Sequence, residues 1–150
     1  MSAIKEQLHT LCVQYVTANI KNAEAVIADA REATANETKS SAGDKYETAR
    51  EMMQQEIDMN TARLNAAKAQ EQVLKQIDRE RRYDVVVAGS VVQTDSGHFY
   101  IAISAGQLMV DGVKYYAISM DSPLGGQLKG KHVGDAYELN GKRFTIKKIE

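Results

Sequence analysis

Two carboxylates three residues apart, Asp44 and Glu47, follow directly on Gly43 in the stretch Gly43-Asp44-Lys45-Tyr46-Glu47-Thr48-Ala49-Arg50-Glu51. Acids at i and i+3 of a helix start face the same side and can share one divalent ion or its water shell. Mg²⁺ suits such a pair, because it prefers hard oxygen ligands, keeps much of its hydration and takes only one or two carboxylates from a protein. Two acids are half a metal site. No metal is therefore expected to be held tightly by this chain alone, and the remaining ligands must come from elsewhere. The pair also has a purely structural reading: Asp44 as N-cap with Glu47 at N3 is a capping box with aspartate in the Ser/Thr place, and the helix dipole favours negative charge there. Lys45 and Arg50 flank the acids, and on the same structural reading they are solvated helix charges, with Glu47 and Arg50 at i,i+3.

Other chemistry finds little support. Cys12 is the sole cysteine, so an internal disulfide is impossible, and its neighbours Leu8, Leu11 and Tyr15 make it a small buried helix residue. His9, His98 and His132 have no Cys or His partners at ligand spacing, which argues against zinc. Catalytic triads, nucleophile elbows and phosphate-cradling glycine loops are missing. The chain itself is not expected to be an enzyme.

The elements that must position Asp44 and Glu47 are legible in the punctuation. From Ser2 to Tyr83 there is no proline and one glycine, Gly43, whereas the other nine of the 10 glycines and the only proline follow Ala88. This predicts an antiparallel two-helix coiled coil over 1–82, with an acidic tip near 40–51, and a compact domain over 83–150. In the first helix Ile4, Leu8, Leu11, Tyr15 and Ala18 follow steps of four and three, continuing through Ala23, Ile27 and Ala30. In the second, Met53, Ile57, Leu64, Ala67 and Leu74 share one heptad register, interrupted by Asn60 and Glu71. Helices of about 38 to 40 residues would make a rod roughly 55 to 60 Å long. Between Asp29 and Asp58 eight carboxylates face four cations, and from Arg63 to Arg82 the balance reverses. A net charge of −1 over 150 residues argues against binding DNA unaided or coating a membrane surface. No window approaches the roughly 18 apolar residues of a membrane span and no charged leader precedes an apolar stretch, so a cytoplasmic location is expected; a monomer is expected as well.

After Arg82 the period becomes β-like: Val85-Val86-Val87, Ser90 to Thr94, a turn at Asp95-Ser96-Gly97, His98 to Ser104, then Val113 to Met120. Ser122-Pro123 places proline at N1 behind a serine cap, predicting a short helix from Pro123 to Lys129 ended by Gly130. Strands Asp135 to Leu139 and Lys142 to Ile149 flank Asn140-Gly141, a type I′ turn sequence. The result is an α+β chain: a helical hairpin, then a small antiparallel sheet domain with one short helix.

The run from Ser122-Pro123-Leu124 through Gly130-Lys131 to Gly134-Asp135 resembles the signature of the C-terminal, FKBP-like domain of bacterial Gre-type transcript cleavage factors. Ala88-Gly89-Ser90-Val91-Val92, Gly141-Lys142, Phe144, Ile146 and Ile149 are similar as well, and the order of domains agrees over the whole chain. Gly43, Asp44, Glu47 and Ala49 occupy the family's tip positions, while Lys45, Thr48 and Arg50 depart from them, Arg50 standing where the family has a glutamate. The resemblance implies a factor that docks its body on RNA polymerase and passes the coiled coil down the secondary channel. There Asp44 and Glu47 would help to hold the second Mg²⁺, shared with the polymerase, while the polymerase hydrolyses backtracked RNA. It also implies that Lys45 and Arg50 meet the nascent RNA 3′ end or the polymerase. Leu124, Leu128, Tyr115 and Tyr116 are candidates for the docking surface, although Leu124 and Leu128, at i,i+4 on the short helix, are more often core. Three other readings stay open: a channel-binding regulator that inhibits or modulates transcription without cleavage, a prolyl isomerase or chaperone with a coiled-coil arm, and a structural coiled-coil dimeriser whose rod pairs between chains.

Overall fold

The computed structural model describes residues 3–40 and 44–150, and side chains at 3–35 and 47–150. The chain divides into two compact units, Met1–Tyr15 with Gln72–Glu150, and Val16–Glu71.

Helix α1 (Ala3–Ser40) and helix α2 (Asp44–Gln76) run antiparallel, and the second unit is the part of this pair within Val16–Glu71. Neither helix contains glycine or proline, and opposite directions follow from their neighbours: the Thr34 hydroxyl meets Met53 Sδ at 3.3 Å, while Asn19 and Asn22 share a groove with Asn60, Arg63 and Gln70. Val16, Ala23, Ile27 and Ala30 of α1 are buried, and so are Asn60 and Ala67 of α2. Met53, Ile57 and Leu64 are half-buried on the expected register. Asn60 is accommodated because its side-chain amide donates to the Glu56 carbonyl one turn back, at 2.9 Å. The α1 stripe differs from expectation. Leu8, Cys12 and Val16 are buried, whereas Leu11 is half-buried and Tyr15 and Ala18 are exposed. Apolar residues stand at both 11/12 and 15/16, so local spacing allows either line, and only the line through Val16 continues by sevens to Ala23 and Ala30.

The expected helix through residue 82 stops earlier, at Gln76. Asp78 accepts from the Glu80 amide at 3.0 Å, a local side-chain bond that competes with helical pairing.

The first unit is built on a six-stranded sheet: β1 (Val91–Thr94), β2 (Gly97–Ile101), β3 (Gly106–Val110), β4 (Val113–Ile118), β5 (Ala136–Leu139) and β6 (Lys142–Ile149), in the order β3-β4-β2-β1-β6-β5. It is mixed rather than antiparallel, because β2 and β4 run parallel, His98 opposite Tyr115 and Ile101 opposite Ile118. The cause is β3, a strand beyond those expected from the sequence. It takes the sheet edge and turns back through Asp111 (φ 51°) and Gly112 (φ 77°), a two-residue hairpin that brings β4 alongside β2 in the same direction. Val85-Val86-Val87 forms only a bridge from Val85 to His132; Ser90 holds that segment in a turn, its hydroxyl donating to the Val87 carbonyl at 2.7 Å. The β5–β6 hairpin turns at Asn140-Gly141, both at positive φ, as expected.

Helix α3 (Pro123–Leu128) buries Leu128 among Val86, Val92, Phe99, Ile101, Tyr137 and Ile146. The first turns of α1 belong to this same unit and are fastened to it by polar groups. Lys5 donates to the Arg81 carbonyl at 2.6 Å and the Glu150 carbonyl at 3.3 Å, with its ammonium 4.6 Å from the Tyr83 ring centre. His9 Nδ1 and the Tyr100 hydroxyl lie 2.9 Å apart, both buried. An exposed pair, Arg79 with Glu6 at 2.8 Å, closes the rim.

Candidate functional site

The returning helix opens with Asp44 as its first residue, one place inside the N-cap position expected for it. Gly43 and the side chains of Asp44 and Lys45 lie outside the described residues. Glu47 and Arg50 are exposed on the first turns of α2, one turn apart, with Glu51 exposed beside them. Among the described residues no group of three or more His, Cys, Asp or Glu could hold a metal ion. Among the described residues this end of the hairpin presents the exposed carboxylates Glu47 and Glu51 beside the exposed Arg50, near a helix start whose dipole favours anions.

The Ser122-to-Asp135 run is accounted for by local architecture. The Ser122 hydroxyl caps α3, accepting from the Gly125 amide at 3.0 Å and donating to the Ser119 carbonyl at 2.7 Å. Pro123 is in the first turn, where its missing amide costs nothing. A Cβ at Gly125 would stand 2.0 Å from the Ser119 oxygen, so no other residue fits. Gly130 and Gly134 take positive φ of 76° and 92°, and the Asp135 carboxylate accepts from the His132 amide at 2.7 Å. This run specifies a fold.

Of the residues expected on a docking surface, Leu128 and Tyr115 are buried, and Leu124 packs half-buried against the same core. Tyr115 stacks obliquely on His98 with ring centres 5.2 Å apart, and burial pushes its phenol up. Tyr116 is the exposed member of the set. Alternation along β4 separates the two tyrosines onto opposite faces of the sheet. Leu128 and Tyr115 thus serve the body's interior, Leu124 is half-buried, and Tyr116 is the one of the four that is exposed.

Cys12 is buried, and desolvation pushes its thiol up to about 12, consistent with an inert packing residue. Burial lowers the basicity of Lys5 and of His9. Neither residue carried a signal at sequence level beyond a charge or a ring on a helix. Also missed was an open groove of ≈ 430 Å³ along the hairpin, lined by Asn19, Asn22, Val26, Arg63, Ala66 and Gln70. Asparagines at i and i+3 on one helix were its only trace in the sequence.

Scans against protein families and against curated proteins find no match. A search of solved structures finds the transcription factor Gfh1, 19% identical over 91% of this chain and 91% of that one, with a TM-score of 0.34. At that identity and superposition the similarity says nothing of what this chain binds.

Proposed function

We propose that the chain is an RNA polymerase secondary-channel factor that presents Asp44 and Glu47 to the polymerase active centre and promotes hydrolytic cleavage of backtracked RNA. The observation that carries this reading is a helical hairpin whose returning helix starts at Asp44 and leaves Glu47 exposed in its first turn. The resemblance of residues 122–135 and 43–49 to Gre-type factors supplies the partner. A Mg²⁺ ion shared with the polymerase would activate the attacking water and neutralise charge on the phosphate. The chain's own part is to bring one or two carboxylates on a rigid backbone, which matches what Mg²⁺ takes from a protein. Lys45 and Arg50 would meet the phosphates of the extruded RNA, and the nuclease remains the polymerase's.

A second reading is favoured by Arg50. A guanidinium one turn from Glu47, where the resembling family has an acid, lowers the negative charge available to a metal; such a factor would occupy the channel and modulate synthesis without cleavage. Backtracked elongation complexes incubated with wild type and with Asp44→Ala/Glu47→Ala discriminate the two. Shortening of the RNA 3′ end by wild type alone supports cleavage, and intact RNA with altered pausing or initiation supports the regulator. Failure of the wild-type chain to bind polymerase overturns both.

A further inference from the structure

We propose that the chain self-associates through the face of α2 that points away from α1, in an antiparallel helix pair centred between Asn60 and Thr61. Independently of the function proposed above, this rests on a second apolar register. Met53, Ile57, Asn60, Leu64 and Ala67 face α1, while Met52, Gln55, Met59, Ala62, Ala66 and Ala69 fall on another heptad seam and are all exposed. Met52 and Met59 are 65% and 52% exposed, large apolar side chains with nothing over them. On a heptad wheel the two seams lie almost opposite each other, so α1 does not obstruct the second.

Charge selects the occupant. Glu56 and Arg63 flank the seam on one side, seven residues apart, and neither forms an ion pair among the described residues. In an antiparallel pair of copies, seam residues whose numbers sum to 121 face each other: Met59 meets Ala62 of the second copy, and Met52 meets Ala69. Each methionine then has a small residue opposite it, the alternation that fills an interhelical layer. In that register Glu56 of each copy meets Arg63 of the other, twice by symmetry, and Asp58 meets uncharged Asn65. A shift of one heptad either way sets Glu56 and Asp58 against their own copies, or Arg63 against its own. Parallel pairing sets Met59 on Met59 and Ala62 on Ala62, and gains Asp58 with Arg63 only while bringing Glu51 against Glu56. Only one arrangement has attraction without like-charge contact, and like charges across such a seam are selected against. Arg63 also lines the open groove beside the seam, with Ala66 and Gln70, which leaves room for the incoming Glu56 side chain.

Sedimentation equilibrium of the full chain from roughly 5 to 500 µM, where measurable dimers of short exposed seams fall, tests this. Wild type should dimerise within that range. Arg63→Glu or Glu56→Arg, each turning two attractions into two repulsions, should raise the dissociation constant by about tenfold or more. The double variant Glu56→Arg/Arg63→Glu should return it to within about threefold of wild type, since two attractive pairs are restored. Unchanged far-UV circular dichroism verifies that the variants fold; if a reversal loses helicity, Glu56→Gln and Arg63→Gln replace it, with a smaller weakening expected. A wild-type chain that stays monomeric overturns the proposal and leaves the face to a helix of another protein. A double variant no tighter than the single ones overturns the antiparallel register.

Discussion

Removing one oxygen from Tyr100 should loosen the first turns of α1 from the body. The hydroxyl sits 2.9 Å from His9 Nδ1, with Tyr100 0% and His9 5% exposed, so water cannot replace the lost partner. Tyr100→Phe keeps the ring and its packing. The net worth of such a bond is about 1 kcal/mol, and stranding a buried polar nitrogen adds a desolvation cost, so a loss of about 1–3 kcal/mol is expected. His9→Leu alone should cost a similar amount by stranding the hydroxyl. The double variant should be less destabilised than the sum, with a coupling of about 1–2 kcal/mol. Urea unfolding followed through amide NMR intensities of body residues reports this unit by itself, which matters because a chain of two units need not unfold in one step. A Tyr100→Phe cost below about 0.5 kcal/mol, or strictly additive losses, would refute the reasoning. The same pair sets a pH dependence. Burial first, and the Arg79 charge second, hold His9 below its ordinary 6.5, with Glu6 opposing. The unfolded chain therefore takes up a proton near 6.5 that the folded chain resists. The contribution is present in full above that pH and is lost as pH falls below it, down to the depressed folded value. Replacing His9 with Gln, which can still accept from Tyr100, should flatten this part of the stability profile.

Gly125→Ala should lower stability by about 3 kcal/mol or more in a thermal melt, because the new methyl would overlap a carbonyl already fixed by the Ser122 cap. Leu128→Ala empties a fully buried site and should cost about 2–5 kcal/mol in the same measurement. Asn60→Leu places an apolar residue in the hairpin seam and should raise the stability of that unit by about 1 kcal/mol, measured by hydrogen exchange of α2 amides. Cys12, buried and with its thiol pushed up to about 12, should resist iodoacetamide in the native state and react on unfolding; mass spectrometry showing labelling at the rate of a free thiol would contradict that assignment.

By itself the sequence determined the features that depend on near neighbours. Glycine and proline placement separates a helical hairpin from a sheet domain, Ser122-Pro123 starts α3, Asn140-Gly141 turns β5 into β6, and Asp44 opens the returning helix; each is a local backbone preference. Asp111-Gly112 carried the same kind of signal for β3. Tertiary structure decided what depends on partners remote in the chain. It chose Cys12 and Val16 over Leu11 and Tyr15 because only one of two allowed stripes continues along the helix. It ran β4 parallel to β2 because β3 claimed the edge, and put Leu128 and Tyr115 in the core while leaving Tyr116 outside. Most of all, it brought Lys5 and His9 to Arg81, Glu150 and Tyr100, pairings between residues up to |i−j| = 145 apart that no spacing rule could express. Buried polar groups must find donors and acceptors wherever the fold supplies them, and periodicity says which face a residue is on but not what it will meet there.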